Sequence, residues 1–308
     1  MSDIGDFVIQ EGTLVRYRGP GGDVVIPPGA VRIGREAFLD CPGLTGVSVP
    51  AGATEIGPLA FANCVNLARV DLPESLEEIG AHAFFRCGAL TDLILPAGVT
   101  RVGNSAFSRC SGLTGVSVPA GVTEIGALTF ANCASLARVD LPQGLTEIGD
   151  LAFFRCDALT DITLPAGATR IGKKAFACCA NLSVVALPSS ATQIDKTAFY
   201  GSDPAVAAPH IPLGEFSKMD KPKIIRGFAA AYFRSMPIEE TDRIRYLAYI
   251  RRQRKRLYPL ALQHEEVLRL MIAEAIIPPR DIQPLLDEAE RRQNGAAQAL
   301  ILEYGRKI

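Results

Sequence analysis

The chain has 308 residues, of which 48% are hydrophobic and 21% charged, and 33 acids nearly balance 32 bases for a formal net charge of −1. This composition excludes disordered, collagen-like and strongly basic proteins, and the length suits about two domains. No apolar run approaches the roughly 18 residues of a membrane-spanning helix. The first residues, Met1 to Asp6, contain no basic and apolar leader. We therefore expect a cytoplasmic protein without membrane insertion.

The first predicted element is a β-hairpin in residues 7–17. Two short apolar segments flank the dipeptide Glu11-Gly12, which is typical of a two-residue hairpin turn. We assign residues 1–24 to an N-terminal cap that covers the first repeat.

A strict period of 23 residues runs through residues 25–202. Phenylalanine marks it at positions 38, 61, 84, 107, 130, 153, 176 and 199. Such regularity predicts a solenoid. Alternation in Val70-Asp71-Leu72-Pro73 indicates a strand ended by proline, and strands of successive repeats should stack in parallel. The following Thr-Glu-Ile-Gly suggests a second short strand, and the stretch Ala-Phe-x-x-Cys-x-x-Leu a helical or 3₁₀ turn.

The repeat is seen in full at residues 141–159, Leu-Pro-Gln-Gly-Leu-Thr-Glu-Ile-Gly-Asp-Leu-Ala-Phe-Phe-Arg-Cys-Asp-Ala-Leu. It resembles the repeat of the bacterial BspA-like leucine-rich repeat family over about residues 25–201. The resemblance implies an α/β solenoid, a right-handed leucine-rich-repeat superhelix with parallel strands. It also implies a role in protein binding, often adhesion by surface or secreted proteins.

The cysteines follow the same period. Seven of the eight lie on it, at 41, 64, 87, 110, 133, 156 and 179, and Cys178 is the exception. The chain has no C-x-x-C pair and only three histidines, so we predict reduced, buried, structural thiols. We predict no metal site, no cofactor, no catalytic residues and no enzymatic activity.

The outward positions of the main strand supply candidate partner-binding residues. These are Arg69, Asp71, Asp92, Arg138, Asp140 and Asp161. The alternative is that they form only solvated pairs between rungs, Arg69 with Asp92 and Arg138 with Asp161. Phe85 and Phe154, each following a core phenylalanine, are either exposed binding anchors or packing residues. A second outward row, which contains Glu55, Glu78, Glu124 and Glu147, is mainly acidic.

The net charge changes sign near residue 203. Residues 1–202 hold 14 bases and 19 acids, whereas residues 203–308 hold 18 bases and 14 acids. We assign 203–216 to a linker and 217–308 to a small all-α domain. Apolar residues at helical spacing predict five helices, at 222–235, 237–263, 265–275, 280–293 and 296–306.

The second predicted helix contains a candidate basic patch. Its members are Arg243, Arg245, Arg251, Arg252, Arg254, Lys255 and Arg256. They suit the solvated face of an amphipathic helix, an acidic partner that includes the solenoid's own acidic row, or a nucleic-acid or anionic lipid surface.

The sequence as a whole predicts a monomeric, non-enzymatic scaffold for protein–protein interaction that presents a repeated solenoid surface. Nucleic-acid or anionic-surface binding through residues 243–256 is one alternative. Surface adhesion, as in secreted members of the family, is another.

Overall fold

Each 23-residue repeat folds into one turn, or rung, of a parallel β-solenoid of about eight turns. The computed structural model describes residues 4–188, 190–191, 193–202, 204–207, 221–233 and 240–308. The chain divides into two units. The first comprises Met1–Ser183 with Ser190–Asp203, and the second Val184–Ser189 with Pro204–Ile308.

The strands are short and recur in a fixed order. They are β1 (Phe7–Gln10), β2 (Thr13–Tyr17), β3 (Gly22–Val25), β4 (Arg32–Ile33), β5 (Leu44–Ser48), β6 (Glu55–Ile56), β7 (Arg69–Asp71), β8 (Glu78–Ile79), β9 (Asp92–Ile94), β10 (Arg101–Val102), β11 (Gly115–Ser117), β12 (Glu124–Ile125), β13 (Arg138–Asp140), β14 (Glu147–Ile148), β15 (Asp161–Thr163), β16 (Arg170–Ile171), β17 (Val184–Ala186), β18 (Gln193–Ile194) and β19 (Ala205–Ala207). A 3₁₀ turn at Ile4–Asp6 precedes them.

Two rows of parallel strands run along the solenoid. In the first unit the odd-numbered strands from β3 to β15 form the main row, and the even-numbered strands from β4 to β18 form the second row. Partners lie 23 residues apart, as in Ser117 opposite Asp140 and Glu55 opposite Glu78. The period in the sequence is therefore the register of the sheets, and the predicted parallel solenoid is confirmed.

The N-terminal hairpin continues the solenoid. Strands β1 and β2 pair antiparallel around Glu11 and Gly12, whose φ angles of 47° and 73° suit a tight hairpin turn. Strand β2 then pairs in parallel with β4. The ring of Tyr17 stacks on that of Phe38 with centroids 4.8 Å apart. The hairpin thus packs on the first full rung.

The segment between the second strand and the next main strand differs from the expected helical turn. It is a run of turns in which i→i+3 hydrogen bonds, such as Ala62 N to Leu59 O, alternate with bonds to the next rung, such as Phe61 N to Ala83 O. Two residues per rung adopt positive φ, for example Leu59 and Asn63 at 59° and 62°. Because left-handed residues cannot continue a right-handed helix, the segment never becomes one.

The core of the solenoid is a column of stacked phenyl rings. Successive phenylalanines from Phe38 to Phe199 have centroids 4.9–5.7 Å apart. Those from Phe38 to Phe176 are fully buried. Each ring stacks on the rings of the rungs before and after it, so each additional rung extends the same core.

A column of thiols lies beside the rings. Each of six cysteines, from Cys64 to Cys179, donates its S–H to the carbonyl of the phenylalanine 26 residues earlier, at 3.0–3.2 Å. In the last rung the hydroxyl of Ser202 donates to Phe176 O at 2.7 Å in the same way. All eight cysteines are free.

The glycine after each second strand is required by the neighbouring rung. A Cβ at Gly149 would lie 2.9 Å from the nitrogen of Ala127 and 2.9 Å from the carbonyl oxygen of Ile125. The two backbones approach too closely there for a side chain, and glycine recurs at this position from Gly34 to Gly172, whereas the last rung carries Asp195.

The second unit contains two strands and five helices in its described residues. The helices are α1 (Lys221–Phe233), α2 (Glu240–Gln263), α3 (Glu265–Ala273), α4 (Pro279–Arg291) and α5 (Gly295–Gly305). Strand β19 pairs in parallel with β17, and α1 packs against β19. Residues 204–207 of the predicted linker thus include a strand, whereas 203 and 208–216 lie outside the described residues, as do 234–239 at the predicted ends of two helices.

The helix ends have local causes. Helix α3 stops short of the predicted residue 275 because Ala275 has φ 48°, and α4 stops before Gln293 with φ 55°. Asn294 caps α5, since its side chain accepts a hydrogen bond from Ala297 N at 3.0 Å. Tyr246 of α2 is fully buried and stacks on Phe228 of α1 with centroids 4.9 Å apart.

The thiol column predicts a specific labelling pattern. Burial raises the pKa of the Cys64, Cys133 and Cys179 thiols to about 12, so they should not react with a thiolate-specific reagent at pH 8. Only the half-buried Cys41 and Cys178 should label in the native protein, and Cys41 more slowly because burial raises its pKa. Denaturation without reductant should expose all eight. Mass spectrometry of the alkylated protein checks this, with Cys178→Ser as the control that removes the fastest site. Fewer than eight thiols after denaturation would mean that disulfides form.

Candidate functional site

The main-strand face places the predicted partner-binding residues in one exposed row. Arg69, Asp71, Arg138 and Asp140 are exposed on β7 and β13. Arg69 pairs with Asp71 at 3.5 Å and Asp23 at 3.7 Å, and Arg138 pairs with Asp140 at 3.3 Å. The expected pairs between rungs are therefore wrong. Each arginine uses the carboxylate two residues along its own strand, on the same face, in place of Asp92 or Asp161.

Asp92 and Asp161 have local partners of another kind. Each accepts a hydrogen bond at 3.0 Å from the hydroxyl of the preceding threonine, Thr91 or Thr160. Both carboxylates remain exposed on the strand face. They are available to a cation brought by a partner.

A shallow groove crosses the centre of this face. It encloses about 630 Å³ and is lined by β9, β11 and the Arg138 side chain. Ile94 lies in the groove with 84% of its surface exposed. On the next rung Gly115 has no side chain, and its backbone pairs with Asp92. The groove therefore combines an exposed apolar side chain with a carboxylate and a guanidinium.

Ile94 was missed as a candidate residue by the sequence reasoning. Its signal was an isoleucine at an outward strand position, where most other rungs carry serine, aspartate or threonine: Ser48, Asp71, Ser117, Asp140 and Thr163. Val25 and Ala186 are the other apolar residues at this position. An exposed isoleucine alone is common on protein surfaces. Its place in a groove that also contains Gly115, with Ser117 opposite it on the next rung, is what distinguishes this one.

Arginines neutralise two of the four glutamates of the second row. Glu78 pairs with Arg101 at 3.3 Å, and Glu147 pairs with Arg170. Among the residues that the structure describes, Glu55 and Glu124 form no ion pair within 4 Å. Each stacks in register on the next glutamate, Glu55 on Glu78 and Glu124 on Glu147.

Phe85 and Phe154 lie half-buried at equivalent positions of two rungs. The guanidinium of Arg109 lies 5.9 Å from the centroid of Phe85, and that of Arg155 lies 5.6 Å from the centroid of Phe154. The edge of His82 also meets Phe85, with ring centroids 5.6 Å apart. These two rings therefore carry both packing contacts and exposed surface.

The basic patch of α2 separates into two groups. Arg243, Arg245, Arg251 and Arg254 make ion pairs at 2.9–3.5 Å with Glu274, Asp242 and Asp281. Arg252, Lys255 and Arg256 are exposed, and within the described part of the chain no carboxylate lies within 4 Å of them. Three of the seven predicted bases therefore have no carboxylate partner in the described part of the chain.

Two carboxylates organise the first group. Glu274 accepts hydrogen bonds from Tyr232 Oη at 2.5 Å and from Arg243 at 2.9 Å, with only 12% of its side chain exposed. Asp281 accepts one from Tyr258 Oη at 2.6 Å. Burial opposes ionisation of Glu274, yet the tyrosine and the arginines outweigh it and hold its pKa below the usual range. Through these hydrogen bonds and ion pairs the two carboxylates hold α2 against α1, α3 and α4.

The described residues contain no group of three or more His, Cys, Asp or Glu side chains arranged to hold a metal ion. In the same residues, no helix combines the length and the apolar character needed to cross a membrane.

A rung of 23 residues with parallel strands, a phenylalanine core and a cysteine–carbonyl column defines a leucine-rich-repeat solenoid. The family model described as "BspA type Leucine rich repeat region (6 copies)" matches residues 31–156 and 77–206. The chain belongs to this family. Its repeat proteins are typically interaction or adhesion scaffolds.

Parts of the chain are similar to solved leucine-rich repeat structures. A T. pallidum leucine-rich repeat protein, TpLRR, is 30% identical over 60% of this chain and 80% of its own, with a TM-score of 0.46. A leucine-rich repeat protein of Bacteroides ovatus is 25% identical over 66% of this chain and 71% of its own, with a TM-score of 0.39. No curated protein is significantly similar to this chain.

The Glu274 network predicts a pH-dependent contribution to stability. Because its pKa is lower in the folded state than in the unfolded one, Glu274 stabilises the fold above the unfolded pKa, and the contribution is lost as pH falls through the folded pKa. Glu274→Gln should cost about 1–3 kcal/mol at neutral pH and much less in acid. Thermal unfolding across pH 3–7 measures this. The control is Glu288→Gln, at a half-buried position where the substitution removes pairs with Arg291 and Arg292, and it should change the midpoint less. An equal loss for Glu274→Gln at both ends of the pH range would contradict the electrostatic account.

Proposed function

We propose that the protein is a non-enzymatic, cytoplasmic scaffold whose main-strand face binds a protein partner. The groove around Ile94 is the observation that carries this proposal. A side chain with 84% of its surface in water gains about 25 cal/mol for each Å² of apolar surface that a partner covers. An exposed isoleucine within a groove is therefore a natural anchor point.

The charges around the groove suit a protein partner with mixed polarity. Asp92 offers a carboxylate and Arg138 a guanidinium, both in the lining of the groove that contains Ile94. The Arg138–Asp140 pair is exposed, and such pairs contribute only about 0–1 kcal/mol. A carboxylate of the partner therefore replaces Asp140 at little cost. Asp71, Arg69 and Asp161 extend the same face beyond the groove.

The unpaired thiols support a reducing compartment. All eight cysteines are free, and those of the core column lie in register on adjacent rungs. Stacked reduced thiols suit the cytoplasm, where disulfides rarely persist. The scaffold role thus needs neither oxidation nor a cofactor.

A second candidate function is nucleic-acid binding through α2. Its support is the exposed trio Arg252, Lys255 and Arg256, which lacks ion pairs within the described residues. The other four bases already neutralise carboxylates of the protein, which leaves fewer charges for phosphates. Phosphate binding of this kind weakens steeply with salt.

The test is affinity capture from native cell extract with three versions of the full chain: wild type, Ile94→Asp and Val25→Asp. Val25 is the matched control because it occupies the same strand position three rungs earlier and is 69% exposed. We expect a defined protein, retained after nuclease treatment, to bind wild type and Val25→Asp. Its retention should fall at least about tenfold with Ile94→Asp, the effect of losing about 1.4 kcal/mol.

Two outcomes would count against the scaffold proposal. Capture of the same proteins by all three versions would mean that the groove does not bind the partner. Retention only of nucleic acid, lost when Arg252, Lys255 and Arg256 are changed to glutamine, would transfer the function to α2.

A further inference from the structure

The solenoid has a second charged surface on the side away from the strand rows. In each rung this turn face runs from the glycine after the second strand to the leucine that precedes or begins the next main strand, as in residues 80–90 and 103–113. The remaining half of each rung, as in residues 91–102, is the strand side. The two halves of the rung differ in charge and in shape. Both differences bear on the kind of ligand that the turn face can bind.

Charge segregates between the two sides. From residue 57 to 182 the turn face holds five bases and two acids, whereas from residue 45 to 171 the strand side holds four bases and ten acids. The turn-face bases are Arg86, Arg109, Arg155, Lys173 and Lys174. All four strand-side bases form ion pairs: Arg69, Arg101, Arg138 and Arg170.

The turn-face arginines are not neutralised. Arg86, Arg109 and Arg155 are exposed, and among the described residues none of the three has a carboxylate within 4 Å. All three have positive φ, 62°, 64° and 56°, at a position where Asn63 and Asn132 occupy other rungs. Asparagine is more favourable in this conformation than arginine. Local backbone preference therefore does not account for arginine here.

The shape of the turn face is set by one position per rung. Phe85 and Phe154 occupy it three rungs apart, and the two rungs between them carry Ser108 and Ala131, both buried. At a rung spacing of about 4.8 Å the two rings lie about 14 Å apart. We name the region between them, floored by Ser108 and Ala131, the aromatic saddle.

Arginines stand at both ends of the aromatic saddle. Arg109 lies over the ring of Phe85 at 5.9 Å, and Arg155 lies over the ring of Phe154 at 5.6 Å. Ring contact restrains each guanidinium and leaves its N–H donors directed to solvent or a ligand. Two held guanidinium groups separated by a floor of small residues form a site for two carboxylates on one extended chain.

We propose that the aromatic saddle binds an extended acidic segment of a protein partner. Carboxylates of the segment pair with Arg109 and Arg155, with Arg86 adding charge at one end. A long polyanion such as nucleic acid is disfavoured on two grounds. The rings that would stack on bases are already covered by arginines, and the opposite side of the same solenoid is acidic. This surface is distinct from the groove at Ile94, so either proposal stands if the other fails.

The experiment measures fluorescence anisotropy of a short labelled peptide, the repeat Glu-Glu-Leu-Glu, titrated with the full chain. The same peptide with glutamine in place of glutamate is the neutral probe, and labelled oligothymidylate is the nucleic-acid probe. The test variant carries Arg86→Gln, Arg109→Gln and Arg155→Gln. The matched control carries Arg32→Gln, Arg101→Gln and Arg170→Gln, which changes the net charge equally on the second strand row, away from the groove at Ile94. Circular dichroism confirms that both variants are folded.

We expect the turn-face variant to weaken binding of the acidic peptide at least about tenfold and the strand-side control to stay within about twofold of wild type. A third variant, Arg252→Gln with Lys255→Gln and Arg256→Gln, removes the exposed bases of α2 and should retain binding. The proposal is overturned by an equal effect of the turn-face and strand-side variants, by loss of binding in the α2 variant, or by no saturable binding of the acidic peptide to wild type. Tighter binding of oligothymidylate, lost in the turn-face variant, would overturn the assignment to an acidic protein.

Discussion

The solenoid depends on one constraint, the superposition of residues 23 apart in the chain. That register stacks the phenyl rings, closes the thiol–carbonyl column and pairs both rows of strands. It also sets the glycine positions, because the backbones of adjacent rungs meet there without room for a Cβ. A single inserted residue would displace all of these contacts together, which explains why the seven intervals between the phenylalanines contain no insertion or deletion.

Because of the same register, equivalent residues of successive rungs together form continuous surfaces. A side chain at one outward position is followed by its equivalent about 4.8 Å away, so each rung position becomes a column along the solenoid. The candidate sites lie where a column is interrupted. On the strand side Ile94 lies opposite Ser117 of the next rung, and on the turn face Phe85 and Phe154 are separated by Ser108 and Ala131. The described helices show no such period, and three carboxylates, Asp242, Glu274 and Asp281, pair with four of the seven bases of the patch on α2.

Much of this was predictable from sequence. The recurrence of Phe107 and Cys110 at fixed spacing predicted the solenoid and its core, and Glu11-Gly12 predicted the hairpin. The turn segment was harder to predict because left-handed φ occurs at residues as different as Leu59 and Arg86, which have no common signature. The partner of Arg69 depended on a rotamer choice between Asp71 and Asp92, both within reach of a flexible side chain. The network of Tyr232, Arg243 and Glu274 joins residues 31 to 42 positions apart with no period to align them.

Hydrogen exchange of the turn-segment phenylalanine amides tests the register most directly. Phe61, Phe84, Phe107 and Phe130 donate their N–H groups to carbonyls of the next rung, at 2.8–3.0 Å, and not to any residue of their own turn. Stacked rungs predict that these amides exchange as slowly as those of the main-strand residues Val116 and Val139, within about tenfold, since both depend on the same cooperative opening. Exchange of the phenylalanine amides at the rate of open loops, beside protected strands, would contradict rung-by-rung stacking as the basis of the fold.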